Sequence, residues 1–475
     1  MSLDSLPFLF AFLPISAIAV HVLRSRYGLA PAQFALLGLS LVYYAAEDRR
    51  GLPVLLVSIL WNWGMGMRID AGRSESARRR ALWIGIVGNV LLMSLFKYAD
   101  ITAWFLRSLE RTTGLAFGNA GLMPLGLTFF SLTMIMYLLD IYERLQKPFA
   151  LPRVAILTSF FATITAGPLL RSRKFASALD EIGVEASLDS RLLSAMILLS
   201  IGLVKKVVIA GSLALLVDPG FAHARSLSVT EAWASAFGWA LQLYFDFSGY
   251  SDLACGVALL LGLSIVNNFN APFRASTLSS FWQGWHISLT TFITTYLYTP
   301  LLRSLGKPTL RSSAISTFLA MLLAGLLHGA TWTYVAFYAL HGFGLATYHY
   351  WKSLKRPLPD VAGVAITFVF TAMTMVVFRA PTLGVAGDMF GSMFDLSHGF
   401  GLSTFTGLVA GADWRAIAVP CLLAPWMAFV GPTSAELAQR QMPPVRVFAF
   451  SGAAILLCAA YMISGTETSF IYRAF

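Results

Sequence analysis

The sequence predicts an all-α, polytopic integral membrane protein, and three observations carry that prediction. Hydrophobic residues fill 57% of the 475 positions and charged residues only 12%, with a mean hydropathy of +0.70, far from an average soluble domain. Apolar runs of about 17 to 25 residues, the length that crosses a bilayer as helix, recur from end to end. No long polar linker interrupts them, so residues 1–475 read as a single polytopic membrane domain.

The first run, 5–23, has no basic residue ahead of it and is followed by Arg24 and Arg26, the reverse of a secretory signal peptide. It is expected to stay attached, with the N-terminus extracytoplasmic. Runs at 28–46 and 51–67 follow, after which Arg68, Arg73, Arg78, Arg79 and Arg80 fall in the cytoplasm by the positive-inside rule. The loop Glu47-Asp48-Arg49-Arg50 then lies outside with its charges cancelled. Runs at 81–97 and 122–141 return Arg144, Lys147 and Arg153 to the cytoplasm, and further spans are expected at 192–217, 231–247, 281–302, 313–329, 331–351, 361–380, 414–431 and 445–464. Residues 154–170 and 251–265 are apolar but short or broken by glycine and proline, and are expected to dip into the membrane without crossing it. Residues 383–413, rich in glycine, phenylalanine, serine and threonine, read as a loop with short interfacial pieces. No tandem repeat and no two-half inverted repeat is visible.

The net charge of +11 comes from short loops between oily segments, which argues for membrane orientation and anionic headgroups and against nucleic acid. Cys255, Cys421 and Cys458 lie in apolar runs without metal-ligand spacing, and no P-loop or dinucleotide fingerprint is present. No metal and no bound cofactor is expected.

His328, in the run Leu326-Leu327-His328-Gly329-Ala330, is the first candidate for chemistry, because an ionisable ring within a spanning segment must repay its insertion through a partner or a task. His286, in Phe281-Trp282-Gln283-Gly284-Trp285-His286, is the second. Each has a plain alternative as a histidine bonded across helices for structure alone. His341 and His349 read as structural, and His21, His223 and His398 as interfacial or loop residues. Between 242 and 285 lies the densest polar island, where Gln242, Asp246 and Tyr250 share one helical face. Asp246 needs a cationic or hydrogen-bonding partner if it lies at depth, and the plain alternative is that Asp246 and Asp252 cap helices or tie loops. The stretch Asn268-Phe269-Asn270-Ala271-Pro272-Phe273 reads as turn chemistry, and Gly249, Gly256 and Gly262 as close-packing positions. A neutral histidine, with a reference pKa of about 6.5, suits general base work, activating a hydroxyl to attack a thioester, and a second ring suits orienting the acceptor or stabilising the developing charge.

Taken together, these motifs resemble the membrane-bound O-acyltransferase family, in its bacterial branch of alginate O-acetyltransferases and D-alanyl teichoic acid transferases. The matching runs are Pro-Leu-Gly-Leu-Thr-Phe-Phe at 124–130, Tyr-Leu-Leu-Asp-Ile-Tyr at 137–142, Ala-Gly-Pro-Leu-Leu-Arg at 166–171, the island at 246–252, and residues 268–273 and 281–286. Leu327-His328-Gly329-Ala330-Thr331-Trp332 and Phe378-Arg379-Ala380 complete the set. The motif-bearing core spans about 51–380, with C-terminal helices over about 381–475.

The resemblance implies a helical bundle with re-entrant segments around a central funnel that reaches two catalytic histidines, His328 and His286. Asp246, Tyr250, Asn270, Arg274, Trp282 and Trp285 would bind substrate or support the site. The implied donor is acyl-coenzyme A, most simply acetyl-coenzyme A, or an acyl carrier thioester on the cytoplasmic side. The implied acceptor is a hydroxyl of an exported glycan such as alginate, and the implied partners are membrane lipids and an extracytoplasmic acyltransferase or esterase-like protein. The implied location is a bacterial inner membrane. Relatives often carry basic residues between the two tryptophans, where this chain has Gln283 and Gly284. Arg274, Arg171, Arg173, Lys174, Lys205 and Lys206 are the cations available to replace them. Two other readings stay open: acylation of teichoic acid, lipid or peptide, and a proton-coupled transporter relaying protons through Asp246 and the histidines.

Overall fold

The computed structural model describes residues 2–98, 123–183, 188–329, 331–402, 405–406, 414–440 and 442–463. Among these the regular secondary structure is all helical, with no strand, as the apolar runs predict. Eight helical stretches are long and apolar enough to cross a membrane by length and composition. The chain folds as two compact units, residues 1–195 with 253–266 and residues 196–252 with 267–475.

The first unit contains α1 (Leu13–Tyr27), α2 (Leu29–Glu47), α3 (Leu52–Ala71), α4 (Glu75–Lys97), α5 (Leu127–Tyr142), α6 (Leu151–Ser159) and α7 (Ser172–Asp180). Its outward faces are strongly apolar, with Ile15, Ile18, Phe34, Val57 and Leu91 exposed, as helices facing lipid require. Polar residues turn inward and join helices. Asn62 on α3 and Asn89 on α4 exchange side-chain hydrogen bonds of 3.1 and 2.7 Å, and each amide also donates to the carbonyl one turn back. As expected, 154–170 makes only a short helix, α6, which gives way to turns at Phe160.

The second unit begins within α8 (Leu188–Leu203), which continues through a π-helical segment, Val204–Ala210, into α9 (Gly211–Ala222). It goes on with α10 (Val229–Leu260), whose last residues belong to the first unit. Then come α11 (Leu278–Gly284), α12 (Ile287–Phe292), α13 (Thr299–Ser304), α14 (Leu310–His328), α15 (Trp332–Ser353), α16 (Asp360–Arg379) and α17 (Leu383–Phe394). The C-terminal helices are α18 (Trp414–Phe429), α19 (Ser434–Gln439) and α20 (Pro444–Ile463).

Three expectations need correction here. Residues 231–247 and 251–265 do not separate into a span and a dip, because α10 runs unbroken for 32 residues across most of both. The polar island does not interrupt that helix, and its two carboxylates are paired within the protein: Lys206 Nζ meets Asp246 Oδ1 at 2.6 Å and Lys205 Nζ meets Asp252 Oδ2 at 2.7 Å. Residues 281–302 are not one span. A break at Trp285 and His286 divides them, and beyond it the chain runs through α12, a π-helical turn (Ile293–Tyr298) and α13. Finally, much of the predicted 383–413 loop is the helix α17, started by the Thr382 side chain accepting from the Val385 amide; residues 403–404 and 407–413 lie outside the described residues.

Helices α14 and α15 form an antiparallel hairpin with a very short connection. Two glycines let them approach closely: a Cβ at Gly325 would lie 3.1 Å from Tyr338 Cβ, and one at Gly342 would lie 3.2 Å from Met321 Cβ. The antiparallel pairing gathers Arg303, Lys307 and Arg311, ahead of or opening α14, at the end where α15 delivers Lys352, Lys355 and Arg356.

Candidate active site

His286 sits where a left-handed backbone is forced on a residue other than glycine, with φ 44° and ψ 55°. Such a conformation costs on the order of 1–3 kcal/mol and persists only where its surroundings over-determine it. Those surroundings are visible. Asn268 accepts from the Ile287 amide through its backbone oxygen (2.9 Å) and from the Ser288 amide through Oδ1 (3.0 Å), while its own amide donates to Ser251 Oγ (3.0 Å). On the other side α11, started by a reciprocal Thr277–Ser280 cap, stops at Gly284, whose carbonyl accepts from the Asn270 amide at 2.9 Å. The imidazole is buried, edge-on to Phe247 at 4.7 Å. Its Nδ1 has no hydrogen-bond partner among the described residues, which leaves that nitrogen able to bond a ligand or water.

His328 is the last residue of α14. Gly329 ends the helix with φ 156° and ψ 179°, a backbone region that essentially only glycine enters. The ring is fixed from both edges: Nδ1 lies 2.8 Å from the Ala324 carbonyl, and Nε2 lies 3.0 Å from the Tyr338 hydroxyl. A carbonyl only accepts, so in the neutral ring Nδ1 carries the hydrogen and Nε2 the lone pair, with the tyrosine hydroxyl donating to it. Tyr338 stacks on the ring at 4.7 Å, and Phe378 approaches it at 6.4 Å. The two histidine rings lie within electrostatic reach of each other.

Trp282 connects the surroundings of both. Its Nε1 donates to His341 Nδ1 at 3.2 Å, and its ring packs 6.1 Å from Tyr338. Because indole only donates, His341 must present a lone pair at Nδ1 and a hydrogen at Nε2, which lies 2.8 Å from Thr374 Oγ1; that hydroxyl donates to the Thr371 carbonyl at 2.9 Å. Trp285 lies in an aromatic cluster, stacked on Phe281 at 5.5 Å and edge-on to Phe269 at 5.2 Å. Beside Trp282 opens a cleft of about 240 Å³, lined among others by Gln283, Thr290, Thr294, Tyr298, Thr317 and His349.

The remaining sequence candidates divide. Tyr250 and Asp246 are buried on α10 as their spacing predicts, but Asp246 is closed on Lys206. Lys205 is likewise spent, on Asp252 and on Ser434 Oγ at 2.6 Å, so neither lysine is the anion partner that the missing basic residues seemed to call for. The guanidinium of Arg274 is occupied by the Gly431 carbonyl and, at 3.5 Å, that of Met427. Asn270 is exposed and contributes only backbone here; the asparagine that braces His286 is Asn268. Nor does position 284 have room for a basic side chain, since a Cβ there would lie 2.6 Å from the Asn270 carbonyl. Arg171, Arg173 and Lys174 lie at the start of α7 in the first unit, with Arg173 and Lys174 exposed. Sequence reasoning missed the contacts of Tyr338 and Asn268, whereas its structural reading of His341 agrees with a buried ring held by Trp282 and Thr374. Only the ten-residue offset of Tyr338 from His328 hinted at its place, and that offset becomes meaningful only once the hairpin folds.

Comparison with known proteins gives this arrangement a context. Residues 79–380 match the profile of the membrane-bound O-acyltransferase family. The peptidoglycan O-acetyltransferase of Helicobacter pylori is 32% identical over 424 residues, covering 82% of this chain and 79% of that one. The probable alginate O-acetylase AlgI of Pseudomonas aeruginosa is 34% identical over 411 residues, covering 83% and 75%. The teichoic acid D-alanyltransferase of Bacillus subtilis is 26% identical over 268 residues, covering 53% and 67%.

Proposed function

The chain belongs to the membrane-bound O-acyltransferase family, and from that premise we propose that it moves an acetyl group from a cytoplasmic thioester to hydroxyls of an exported cell-surface polysaccharide. The observation that carries this reading is the state of His328: Nδ1 is anchored to the Ala324 carbonyl, so Nε2 is held as a proton acceptor toward a hydroxyl, now that of Tyr338. In the reaction an acceptor hydroxyl takes that position, gives its proton to Nε2 and attacks the thioester carbonyl carbon. When the carbon–sulfur bond breaks, the departing thiolate takes the same proton. His286, with its open Nδ1, orients the acceptor or steadies the charge that develops on the carbonyl oxygen.

The donor side follows from charge. By the positive-inside rule, the end bearing Arg303, Lys307, Arg311, Lys352, Lys355 and Arg356 is cytoplasmic. The cleft beside Trp282 lies on that side of His328 along α14 and α15, and the few hydroxyl and amide groups in its mainly apolar lining suit the arm of coenzyme A or of a carrier protein. The polysaccharide acceptor rests on the named activities of the two relatives that cover about four-fifths of this chain, and an extracytoplasmic acyltransferase-like partner would complete delivery. Asp246 is ion-paired with Lys206, which weighs against the proton relay through Asp246 and the histidines that the transporter reading requires.

The test is genetic. In a strain lacking the native gene, surface polysaccharide should lose its acetyl esters, recover them with the native chain and not with His328→Ala. Full esterification with His328→Ala would refute the assignment.

A further inference from the structure

We propose that Tyr338 is a positioning residue that guards the base: its hydroxyl occupies Nε2 of His328 until an acceptor displaces it, and so keeps water from spending the thioester. This rests on the acyl-transfer reading above. A neutral histidine has one accepting nitrogen, and Ala324 has taken the other edge of the ring as donor. Whatever holds Nε2 therefore decides whether a stray water can be activated there, and Tyr338 holds it at 3.0 Å.

The tyrosine is built to stay. It is buried, and Gly325 lets α14 come close enough that a Cβ there would touch Tyr338 Cβ at 3.1 Å. Its ring lies between His328 at 4.7 Å, Phe337 at 5.1 Å and Trp282 at 6.1 Å. Trp282 is itself tethered through the fully buried His341 to Thr374 and the Thr371 carbonyl. Every donor in that chain points away from Tyr338, so nothing in it draws the tyrosine hydroxyl off His328.

Water and acceptor differ in what they bring to the exchange. A polymer bound along its length can use remote binding energy to displace the hydroxyl, whereas a lone water has none to offer. In hydrolysis the balance would otherwise be the same: water gives its proton to Nε2, its oxygen attacks the carbonyl carbon, the carbon–sulfur bond breaks, and the thiolate takes the proton, leaving free acid and thiol. Tyr338 keeps its own proton in both reactions.

The full-length chain in nanodiscs, given acetyl-coenzyme A without acceptor, measures this directly as thiol release. Tyr338→Phe retains the ring and removes only the hydroxyl, and should raise release about three- to tenfold, the factor that one hydrogen bond commands. The double variant Tyr338→Phe/His328→Ala should lose the increase, and polysaccharide acetylation in cells carrying Tyr338→Phe should persist. Equal release by native and Tyr338→Phe proteins with matching unfolding midpoints, even if both are zero, would overturn the guard. So would loss of both release and acetylation in Tyr338→Phe, which would make the hydroxyl a participant in transfer. Acetylation that is indifferent to His328→Ala would instead defeat the acyl-transfer reading itself.

Discussion

At the scale of single residues, the account distinguishes groups that react from groups that hold. Removing His328 takes away the proton acceptor, so His328→Ala should lower kcat by about 10²–10⁴, the usual worth of general base catalysis, with donor affinity nearly intact. His286→Ala should cost about 10²–10³ in kcat if its open nitrogen meets developing charge. Steady-state kinetics on reconstituted protein checks both, and an unchanged kcat in His286→Ala would remove it from the chemistry. The buried Lys206–Asp246 pair, 2.6 Å apart, behaves differently. Deleting one partner strands a buried charge, so Lys206→Met alone should destabilise by roughly 3–5 kcal/mol, while Lys206→Met with Asp246→Leu should recover most of the loss. Thermal unfolding of the two variants decides this.

Elements explain how such residues meet. The two histidines are 42 positions apart, one at the end of α14 and one in the break between α11 and α12, and packing within the second unit brings their rings into electrostatic reach. That His328 and His286 are candidates for chemistry was legible in the sequence, because ionisable rings in oily runs are expensive. The bracing was not. Asn268 and Asn270 look alike in a turn-forming stretch, and only the fold shows that the first is buried against the Ile287 and Ser288 amides while the second faces outward. The spans at 231–247 and 281–302 were misread for a related reason: hydropathy does not show that ion pairs let α10 continue through a polar island, or that a strained histidine divides an apolar run. Close packing of the hairpin also yields a prediction. Gly325→Val would press on Tyr338 Cβ at 3.1 Å and on the Tyr334 carbonyl at 3.2 Å, which should cost about 1–3 kcal/mol of stability and lower transfer through a misplaced His328. Bulk placed in the cleft instead, as in Thr294→Trp, should raise KM for the donor and leave that for the acceptor unchanged.

For the whole molecule, composition predicts a helical membrane protein, and the structure bears this out with eight helical stretches among the described residues that are long and apolar enough to span a bilayer. Family membership rests on the match over residues 79–380 and not on any single motif. What composition does not carry is direction, and the arrangement argued here depends on it: a donor cleft at the basic end and an acceptor arriving from the other side. Chemical labelling of a cysteine placed at Lys355 should therefore proceed only with reagent that reaches the cytoplasm, and labelling from outside would invert the scheme. The most direct test of the central claim, acyl transfer through His328, is movement of radiolabelled acetyl from acetyl-coenzyme A by the purified chain in nanodiscs, supplied with polysaccharide acceptor and compared with His328→Ala. The account predicts label on the acceptor with the native chain and none with the variant; equal transfer by both would contradict it.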